Sequence, residues 1–222
     1  MGAAEPDHHP RRVSQFPHGQ GDARLADTAA HDGEVGVAAG DSVSCSRMLA
    51  ESLLAELGAR WLHVQRVGAS ADQMVGRLGL GADADVVRSA AWLHDVGYAP
   101  SLVQSGFHPL DGARFLRSRG APELLVSLVA HHTGAEFEAT GRGLGTELAV
   151  FEPPQQELLD VVTFADLTSG PDGAEVTVDE RLREILRRYP DDHVVHEAIE
   201  RSSPSLRAVA ARMQTRLARA CG

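Results

Sequence analysis

The sequence of 222 residues contains no lysine, so arginine supplies all 21 of its basic side chains. Any phosphate group that this chain binds must therefore be held by arginine, histidine, backbone N–H groups or a metal ion. Acidic residues outnumber basic ones by 31 to 21, and the formal net charge is −10. This charge argues against generic nucleic-acid binding, because phosphate backbones are bound by basic surfaces.

Cysteine and long apolar runs are scarce as well. Only Cys45 and Cys221 are present, which is no disulfide framework and is typical of a reducing cytoplasm. No apolar run approaches the roughly 20 residues that span a bilayer. The N-terminus also lacks the basic start and apolar stretch of a secretory signal. We therefore expect a cytoplasmic protein that has no membrane partner.

Alternating, strand-like patterns are scarce too, so we expect an all-α fold. Residues 1–40 are rich in Gly, Ala, Pro, His and Asp without any helical period, and we predict a disordered tail there. Residues 41–222 have apolar residues at helical spacing and are predicted to form one helical domain. The predicted helices cover about 42–57, 59–78, 83–97, two helices starting near Pro109 and Pro122, and then about 155–168, 178–189, 194–200 and 204–220.

Two further expectations concern the second half of the chain. The segment 134–154 contains several glycines and two prolines, and we predict a long loop that flanks a site. The helix at 178–189 has an apolar side that includes Val178, Leu182 and Ile185, with its arginines, Arg181 among them, elsewhere. We expect this helix to pack in the core, and a dimer contact is the alternative.

The dipeptide His94-Asp95 places an imidazole beside a carboxylate in an otherwise apolar segment. Burying an unpaired carboxylate costs several kcal/mol, so such groups are normally paired or bound to a metal. Imidazole nitrogen and carboxylate oxygen are the donors that divalent cations accept. Further polar residues stand in similarly apolar, helix-like segments: His63, His108, His131, His132 and Asp166. These residues are candidate metal ligands.

The ordered set of His63, His94-Asp95 and Asp166 resembles the HD-domain superfamily of metal-dependent phosphohydrolases. The likeness is sharpest at residues 91–97 and 164–166 and covers about 42–202. It implies a single HD-domain helical bundle in which His63, His94, Asp95 and Asp166 bind a divalent metal. Asp95 is the catalytic candidate, since it would hold the metal and orient or deprotonate the nucleophile.

The segments around His108 and His131-His132 resemble the additional histidines of members that hold two metals. The resemblance implies a second ion that shares Asp95, whereas in single-metal members these histidines face the substrate phosphate. Periodicity leaves open whether His131 or His132 points inward. The His132-Thr133 step resembles the His-Thr pair of bacterial dinucleoside tetraphosphate hydrolases of the superfamily, which favours His132. The expected cofactor is one or two ions of Fe, Mn, Co or Ni, with Mg as a further option.

The implied activity is hydrolysis of a nucleotide or another small phosphoester or phosphoanhydride by metal-activated water. Arg60 and Arg66 are candidates for contact with the substrate phosphate, although either is equally an ordinary surface arginine, and Arg142 in the glycine-rich segment is a third candidate. Many members have a lysine where this chain has Tyr98, so the phosphate contact has moved to arginine or the preferred substrate differs. Two alternatives remain: a non-catalytic nucleotide-binding HD regulator and an HD-type di-iron oxygenase.

Overall fold

The computed structural model describes the backbone of residues 39–220. Its α-helices are, in chain order, α1 (Ala39–Leu54), α2 (Ala59–Leu78), α3 (Ala84–Leu93), α4 (His108–Ser118), α5 (Glu123–His131), α6 (Ala135–Arg142), α7 (Gly145–Leu148), α8 (Gln156–Leu167), α9 (Val178–Arg188) and α10 (Val194–Arg219). Short 3₁₀ turns are formed by Ala55–Leu57, Gly81–Asp83, Val96–Tyr98 and His132–Gly134.

The prediction of an all-α helical bundle is confirmed for the described residues. Their only β-type pairing is an isolated bridge between Ser169 and Glu175. The predicted tail, residues 1–40, lies outside the described residues except for Ala39 and Gly40, which belong to α1. The domain boundary at residue 41 stays a prediction.

The core is built around α5, which is buried on nearly all sides. An α-helix that is apolar around its whole circumference belongs in the interior of a bundle. Helix α5 packs against α3, α4 and α8, and each of these leads into or contributes to the candidate site. Its buried residues are Leu125, Val126, Ser127, Leu128, Val129 and Ala130.

Helix α2 shows how the sequence directs a histidine into this core. Its buried residues recur every three or four positions: His63, Val64, Val67, Gly68, Ala71, Met74 and Val75. Because His63 belongs to this apolar face, its imidazole is carried into the bundle. The helix ends where Gly79 adopts the left-handed conformation (φ 62°, ψ 50°), which glycine adopts at little cost, and its N–H donates to the carbonyl of Val75.

A second, smaller apolar cluster joins α9 and α10 to the end of α8. It contains Leu167, Val178, Leu182, Ile185, Ile199, Leu206 and Ala210. Helix α9 therefore packs in the interior, as expected. However, Arg181 is buried with the apolar residues of this helix, so placing it away from the apolar side was wrong.

The long loop predicted for residues 134–154 is wrong, because α6 and α7 occupy much of it. The glycines have other reasons to be there. Gly134 and Gly143 lie at the two ends of α6 with positive φ, and Gly141 lies inside it. A Cβ on Gly141 would come within 2.8 Å of Val194 Cγ2, so this glycine allows α6 to pack closely on α10.

The predicted break between residues 200 and 204 is also wrong, since α10 continues through Pro204. A proline inside a helix removes one hydrogen bond and normally breaks or kinks the helix. Here the buried face runs past it on both sides, through Ile199, Leu206, Val209 and Met213. The packing of this face outweighs the lost bond, and one helix results.

Candidate metal centre

The His94-Asp95 dipeptide lies just past the end of α3, which is shorter than the predicted helix 83–97. The helix ends at Leu93, and Asp95 has φ −102° and ψ 6°, outside the helical region. The following residues form the 3₁₀ turn Val96–Tyr98. Leaving the helix at this point turns the chain, so that the side chains of His94 and Asp95 are both buried at one site.

Gly97 lets α4 approach this turn and so brings His108 to the site. A Cβ built on Gly97 would lie 2.0 Å from the carbonyl oxygen of His108 and 2.7 Å from the amide nitrogen of Gly112. Both neighbours are backbone atoms that cannot rotate away. Only glycine therefore fits, and the contact between turn and helix fixes where α4 begins.

The first cluster consists of His63, His94, Asp95 and Asp166, and all four are buried. Oδ2 of Asp95 lies 3.4 Å from Nε2 of His94 and 3.8 Å from Nε2 of His63. Oδ1 of Asp166 lies 3.1 Å from Nε2 of His63. Helices α2 and α8 and the turn after α3 thus bring together all four residues of the ordered set.

The second cluster consists of Asp95, His108 and His132. The other oxygen of Asp95, Oδ1, lies 3.3 Å from Nε2 of His108. Nε2 of His108 lies 3.2 Å from Nε2 of His132. Each cluster offers ligand atoms that could hold an ion. Asp95 belongs to both and turns one oxygen to each.

The hydrogen bonds of three imidazoles determine which ring nitrogen is free. The Nδ1 atoms of His63, His94 and His132 lie 3.2, 2.9 and 2.7 Å from the backbone carbonyls of Gly170, Ala91 and Val129. Because a carbonyl only accepts, each Nδ1 carries the proton and each neutral ring keeps a lone pair on Nε2.

The Nε2 atoms of His63 and His94 are buried and have no hydrogen-bond partner. Buried polar atoms are normally satisfied, so two unpartnered acceptors beside one carboxylate call for a missing group. Hydrogen bonding of the second ring nitrogen is also the usual arrangement of histidine ligands. The residues present therefore fit a divalent metal ion.

The carboxylates of the first cluster are held in their charged form. Burial alone would raise the pKa of Asp95, but Arg60 and His94 hold it well below its usual range. Burial would likewise raise the pKa of Asp166, but the imidazole of His63, whose Nε2 lies 3.1 Å from Oδ1, keeps it low. Nη1 of Arg60 donates to Oδ2 of Asp95 at 2.6 Å.

The imidazoles differ between the two clusters. Burial lowers the pKa of His108 strongly and that of His132 less so, which keeps both rings neutral, as metal ligation requires. Burial also acts to lower the pKa of His94, but the negative charge of Asp95 outweighs it and raises that pKa.

Thr133 fixes the position of Asp166, and sequence analysis did not identify it as a site residue. Its hydroxyl donates to Oδ2 of Asp166 at 2.5 Å, and its N–H donates to Oγ1 of Thr163 at 3.1 Å. Thr133 has φ 50° and ψ 41°, a left-handed conformation that is costly for a β-branched residue. The Thr residue next to His132 in the sequence was the available signal.

Several other predicted residues lie away from the two clusters. Nε2 of His131 lies 2.7 Å from the carbonyl oxygen of Phe151, so the structure does not bring this imidazole to the site. Arg66 binds Glu175 at 2.5 Å, and Arg142 binds Glu138 at 2.7 Å.

A cavity of about 90 Å³ opens beside the second cluster. One side of its wall contains Asp95, His108, His132 and Asp166. The α9 and α10 side contains Arg181, Ile185, Arg188, Tyr189, Val195, Ala198, Ile199 and Ser202.

Arg60 is the one predicted phosphate contact that lines this cavity. Its guanidinium lies over the ring of Tyr98, 4.0 Å from the centroid. The same ring stacks on His108 with a centroid distance of 4.1 Å. Tyr98, in the place of the lysine of many HD proteins, therefore holds an arginine and a candidate ligand.

Sequence analysis missed the arginines of α9. The available signal was the position of Arg181 between Val178, Leu182 and Ile185, at the spacing of one helix face. An arginine in such a face is unusual and requires a partner.

An all-helical bundle with two histidine–carboxylate clusters that share one aspartate has the architecture of a metal-binding helical domain. Comparison with known families makes this specific: residues 60–170 match the family model described as HD domain. The chain therefore belongs to the HD domain family, whose members bind divalent metals and are generally metal-dependent hydrolases. All residues of the first cluster and both histidines of the second lie within the match.

The chain is also similar to two curated proteins. It is 28% identical over 124 residues to ribonuclease Y of Rubrobacter xylanophilus, covering 55% of this chain and 21% of that protein. It is 28% identical over 140 residues to ribonuclease Y 2 of Bdellovibrio bacteriovorus, covering 59% of this chain and 23% of that protein. The chain thus matches less than a quarter of the length of either relative. No solved structure matches it significantly.

No helix within residues 39–220 combines the length and the apolar character needed to cross a membrane.

Proposed function

We propose that this chain hydrolyses a nucleotide or another small phosphoester or phosphoanhydride with the help of bound divalent metal. The observation that carries this proposal is the carboxylate of Asp95, whose two oxygens face two histidine clusters beside an arginine-lined cavity. Two-metal hydrolytic centres clamp a phosphoryl group between ions that share a bridging ligand. Membership of the HD domain family supports the same class of reaction.

The proposed ligand set follows from the distances. His63, His94, Asp95 and Asp166 would hold one ion, and Asp95, His108 and His132 would hold a second. His131 is left out of the set, because its Nε2 faces the Phe151 carbonyl. Four imidazoles favour transition metals such as Fe, Mn, Co or Ni over Mg, which prefers oxygen ligands.

A bound divalent ion lowers the pKa of bound water and neutralises charge on a phosphoryl group. The protein's own part is to position these groups. Asp95 is a weak base, since its pKa is held far below its usual range and both of its oxygens face ligand atoms. We therefore assign to it the role of orienting the nucleophile through the metal centre rather than removing a proton.

Arg60 supplies positive charge to the substrate phosphate in place of the missing lysine. Burial alone would lower the pKa of Arg60, but Asp95 and Tyr98 raise it, so the guanidinium stays charged. Because the ring of Tyr98 supports the guanidinium, its fork is fixed in the cavity wall beside His108. A fixed fork pairs well with two phosphate oxygens.

The similarity to two ribonucleases favours an RNA phosphodiester as a second candidate substrate. The net charge of −10 argues against binding along a long nucleic acid, whereas the end of a short strand would meet only the cavity. The expectations of a cytoplasmic location and of a small phosphorylated partner remain predictions.

The first experiment is elemental analysis of the purified full chain beside Asp95→Ala. We expect about one to two equivalents of transition metal in the wild type, since there are two clusters, and near-complete loss in the variant. Asp72→Ala removes an exposed carboxylate that pairs with Arg88 and serves as the matched control. Equal metal content in wild type and Asp95→Ala, after reconstitution of both, would contradict the proposal.

Hydrolysis of p-nitrophenyl phosphate and nucleotides, followed by phosphate release, and of short RNA oligonucleotides, followed by the appearance of shorter strands, then tests the reaction. Asp95→Ala should lower hydrolysis by at least ~10³-fold, because it removes a group common to both ions. Oxygen uptake without phosphate release would favour the oxygenase alternative. Nucleotide binding without turnover of any substrate would favour the regulator.

A further inference from the structure

Three arginines form a wall between two cavities. Arg60, Arg181 and Arg188 line the cavity beside the second cluster, and they also line a neighbouring cavity of about 200 Å³ that reaches His63 and Pro171. In a chain with a net charge of −10, three guanidinium groups at one wall are a local concentration of positive charge.

Arg181 is the most unusual member of this wall. Its side chain is only 7% exposed, and its Nε atom is buried without a hydrogen-bond partner. An unsatisfied buried N–H of a charged group costs more than a neutral one, so a partner is expected when the site is in use. Because Arg181 lines the cavity, that partner can be a bound anion.

One carboxylate organises two of the arginines. Oε2 of Glu184 accepts from Nη1 of Arg181 at 2.5 Å, and Oε1 accepts from Nε of Arg188 at 2.9 Å. Glu184 therefore holds both guanidinium groups but neutralises only one of their two charges. Arg60 pairs with Asp95 and belongs with the metal clusters, so it is not counted on the α9 wall. One positive charge on the α9 wall remains for a ligand.

We propose that Arg181 and Arg188 form a second phosphate subsite, so that the substrate carries a second phosphate group beside the one that reacts at the metal centre. This rests on the proposed function, which assigns the reacting phosphate to the two clusters. Arginine forks bind phosphate oxygens in pairs, and both guanidinium groups belong to the wall of the cavity that the clusters line. The substrate class that fits is a phosphoanhydride such as a nucleoside diphosphate.

Two observations support the coupling of this subsite to the metal centre. Arg181 and Asp166 line the same cavity, so the buried arginine borders the same space as a residue of the first cluster. Furthermore, Arg181 and Arg188 lie beyond residue 170, where the match to the HD domain model ends. The subsite would therefore be a property of this chain's own C-terminal helices.

The test compares two phosphonates that resist hydrolysis, methylenebisphosphonate and methylphosphonate. Their affinities for the metal-loaded full chain are measured by isothermal titration calorimetry. We expect the bisphosphonate to bind more tightly to the wild type. Arg188→Met and Arg181→Met should each lower the affinity for the bisphosphonate by about 10-fold or more, because the charge-assisted bonds to its second phosphonate group are lost. The affinity for methylphosphonate, which has no second group, should change by less than ~2-fold.

A matched control and a variant of opposite sign sharpen this test. Arg187→Met removes the same charge from an exposed position on α9 and should leave both affinities unchanged. Glu184→Gln frees the positive charge that Glu184 neutralises and should tighten bisphosphonate binding. If Arg181→Met fails to fold, Arg188→Met and Glu184→Gln still decide, since both residues are partly exposed.

The outcomes separate the subsite from the proposed function. The subsite would be overturned if the arginine variants lost affinity equally for both phosphonates, or if they lost affinity for neither. Weaker binding of the bisphosphonate by Glu184→Gln would also overturn the subsite, since that result indicates that Glu184, Arg181 and Arg188 have a structural role. Metal content that Asp95→Ala leaves unchanged, or the absence of hydrolysis of any substrate, with bisphosphonate selectivity intact, would refute the hydrolase and leave an anion-binding subsite.

Discussion

The two sides of the candidate cavity differ in both chemistry and origin. The metal side comes from α2, the turn after α3, the start of α4, the 3₁₀ turn after α5, and α8, all within residues 60–170 of the HD domain match. It offers four imidazoles, two of which, His63 and His94, have Nε2 atoms without a hydrogen-bond partner, and two charged carboxylates. The arginine side comes from α9 and α10, which lie outside the match, and it offers guanidinium groups and apolar side chains. From this difference we expect the metal side to determine the type of reaction and the arginine side to determine the choice of substrate. Substitutions can then alter one side at a time.

The largest effect on the metal side is expected from Gly97→Ala. The new methyl group would overlap the carbonyl oxygen of His108, which lies only 2.0 Å from where the Cβ would be, so α4 must move away. We expect loss of about 1–3 kcal/mol of stability from overpacking. Metal analysis should show that the equivalent bound at the second cluster is lost first, because His108 is displaced from Asp95.

Gly76→Ala is the matched control, since a Cβ at this exposed position in α2 meets nothing within 4 Å. Alanine is favoured over glycine inside a helix by roughly 0.5–1 kcal/mol, so this variant should be unchanged or more stable. A Gly97→Ala protein with wild-type metal content and melting temperature would show that the close approach of α4 is dispensable.

Thr133→Val should weaken metal binding without a large loss of stability. Valine keeps the shape but removes the hydroxyl that donates to Asp166. Loss of such an outer contact to a ligand typically costs about 10–100-fold in metal affinity. Thr133→Ser keeps the hydroxyl and should retain most of the affinity. Equal affinities for the Val and Ser variants, measured by competition with a chelator, would exclude the positioning role.

The candidate ligands of the metal side could be selected from the sequence because they stand out from their surroundings. A histidine or aspartate in an apolar helix face, such as His63 or Asp166, is out of place unless something pairs with it. The order of these residues resembles one family, and the fold follows from apolar spacing that is strong in most helices. The distances between the candidate ligands could not be predicted from the sequence. Asp95 contributes to both clusters because the chain leaves the helix after Leu93.

The arginine side could not be predicted in the same way. The glycines of residues 134–154 favour a loop in the sequence, whereas Gly141 lies inside α6 and allows close packing against Val194. Pro204 favours a helix break, whereas the continuous buried face of α10 overrides it. Arg181 resembles surface charge in the sequence although it shares the spacing of the apolar face of α9, because an arginine usually keeps its charged end in solvent.

Arg212→Met tests the junction between the two sides. Nε and Nη2 of Arg212 each donate at 2.7 Å to the carboxylate of Asp160, which is buried on α8. Gln156 also donates to this carboxylate, at 2.8 Å, but its amide is neutral and cannot balance the charge of Asp160. We expect a loss of about 1–3 kcal/mol in the free energy of unfolding, measured by urea denaturation.

The control for this variant is Arg207→Met, which also removes an arginine of α10. Arg207 and its partner Asp179 are both exposed, 2.8 Å apart, so the loss should stay below ~1 kcal/mol. If the bundle transmits the disturbance, Arg212→Met should reduce both metal content and bisphosphonate affinity. A change in only one of them would show that α8 and α10 respond independently.

The smallest effect is expected from Thr177→Ala, which acts at the start of α9 on the arginine side. Thr177 and Glu180 form a reciprocal capping box, in which the Glu180 N–H donates to Oγ1 of Thr177 and the Thr177 N–H donates to Glu180. Replacing such a cap costs ~1 kcal/mol, and frayed α9 residues should lower bisphosphonate affinity slightly while metal content stays constant.

The pH dependence of this cap has a definite sign. The backbone N–H and, second, the hydroxyl of Thr177 lower the pKa of Glu180 below its ordinary value of 4.5, and Thr177→Ala removes the bond from the hydroxyl. A lowered folded-state pKa means that the stabilisation is complete above the unfolded pKa and is lost as pH falls through the folded one. Thr177→Ala should therefore unfold more easily than wild type near neutral pH, and the difference should shrink at acidic pH. A gap in the free energy of unfolding that does not vary with pH would show that the hydroxyl of Thr177 does not stabilise the charged form of Glu180.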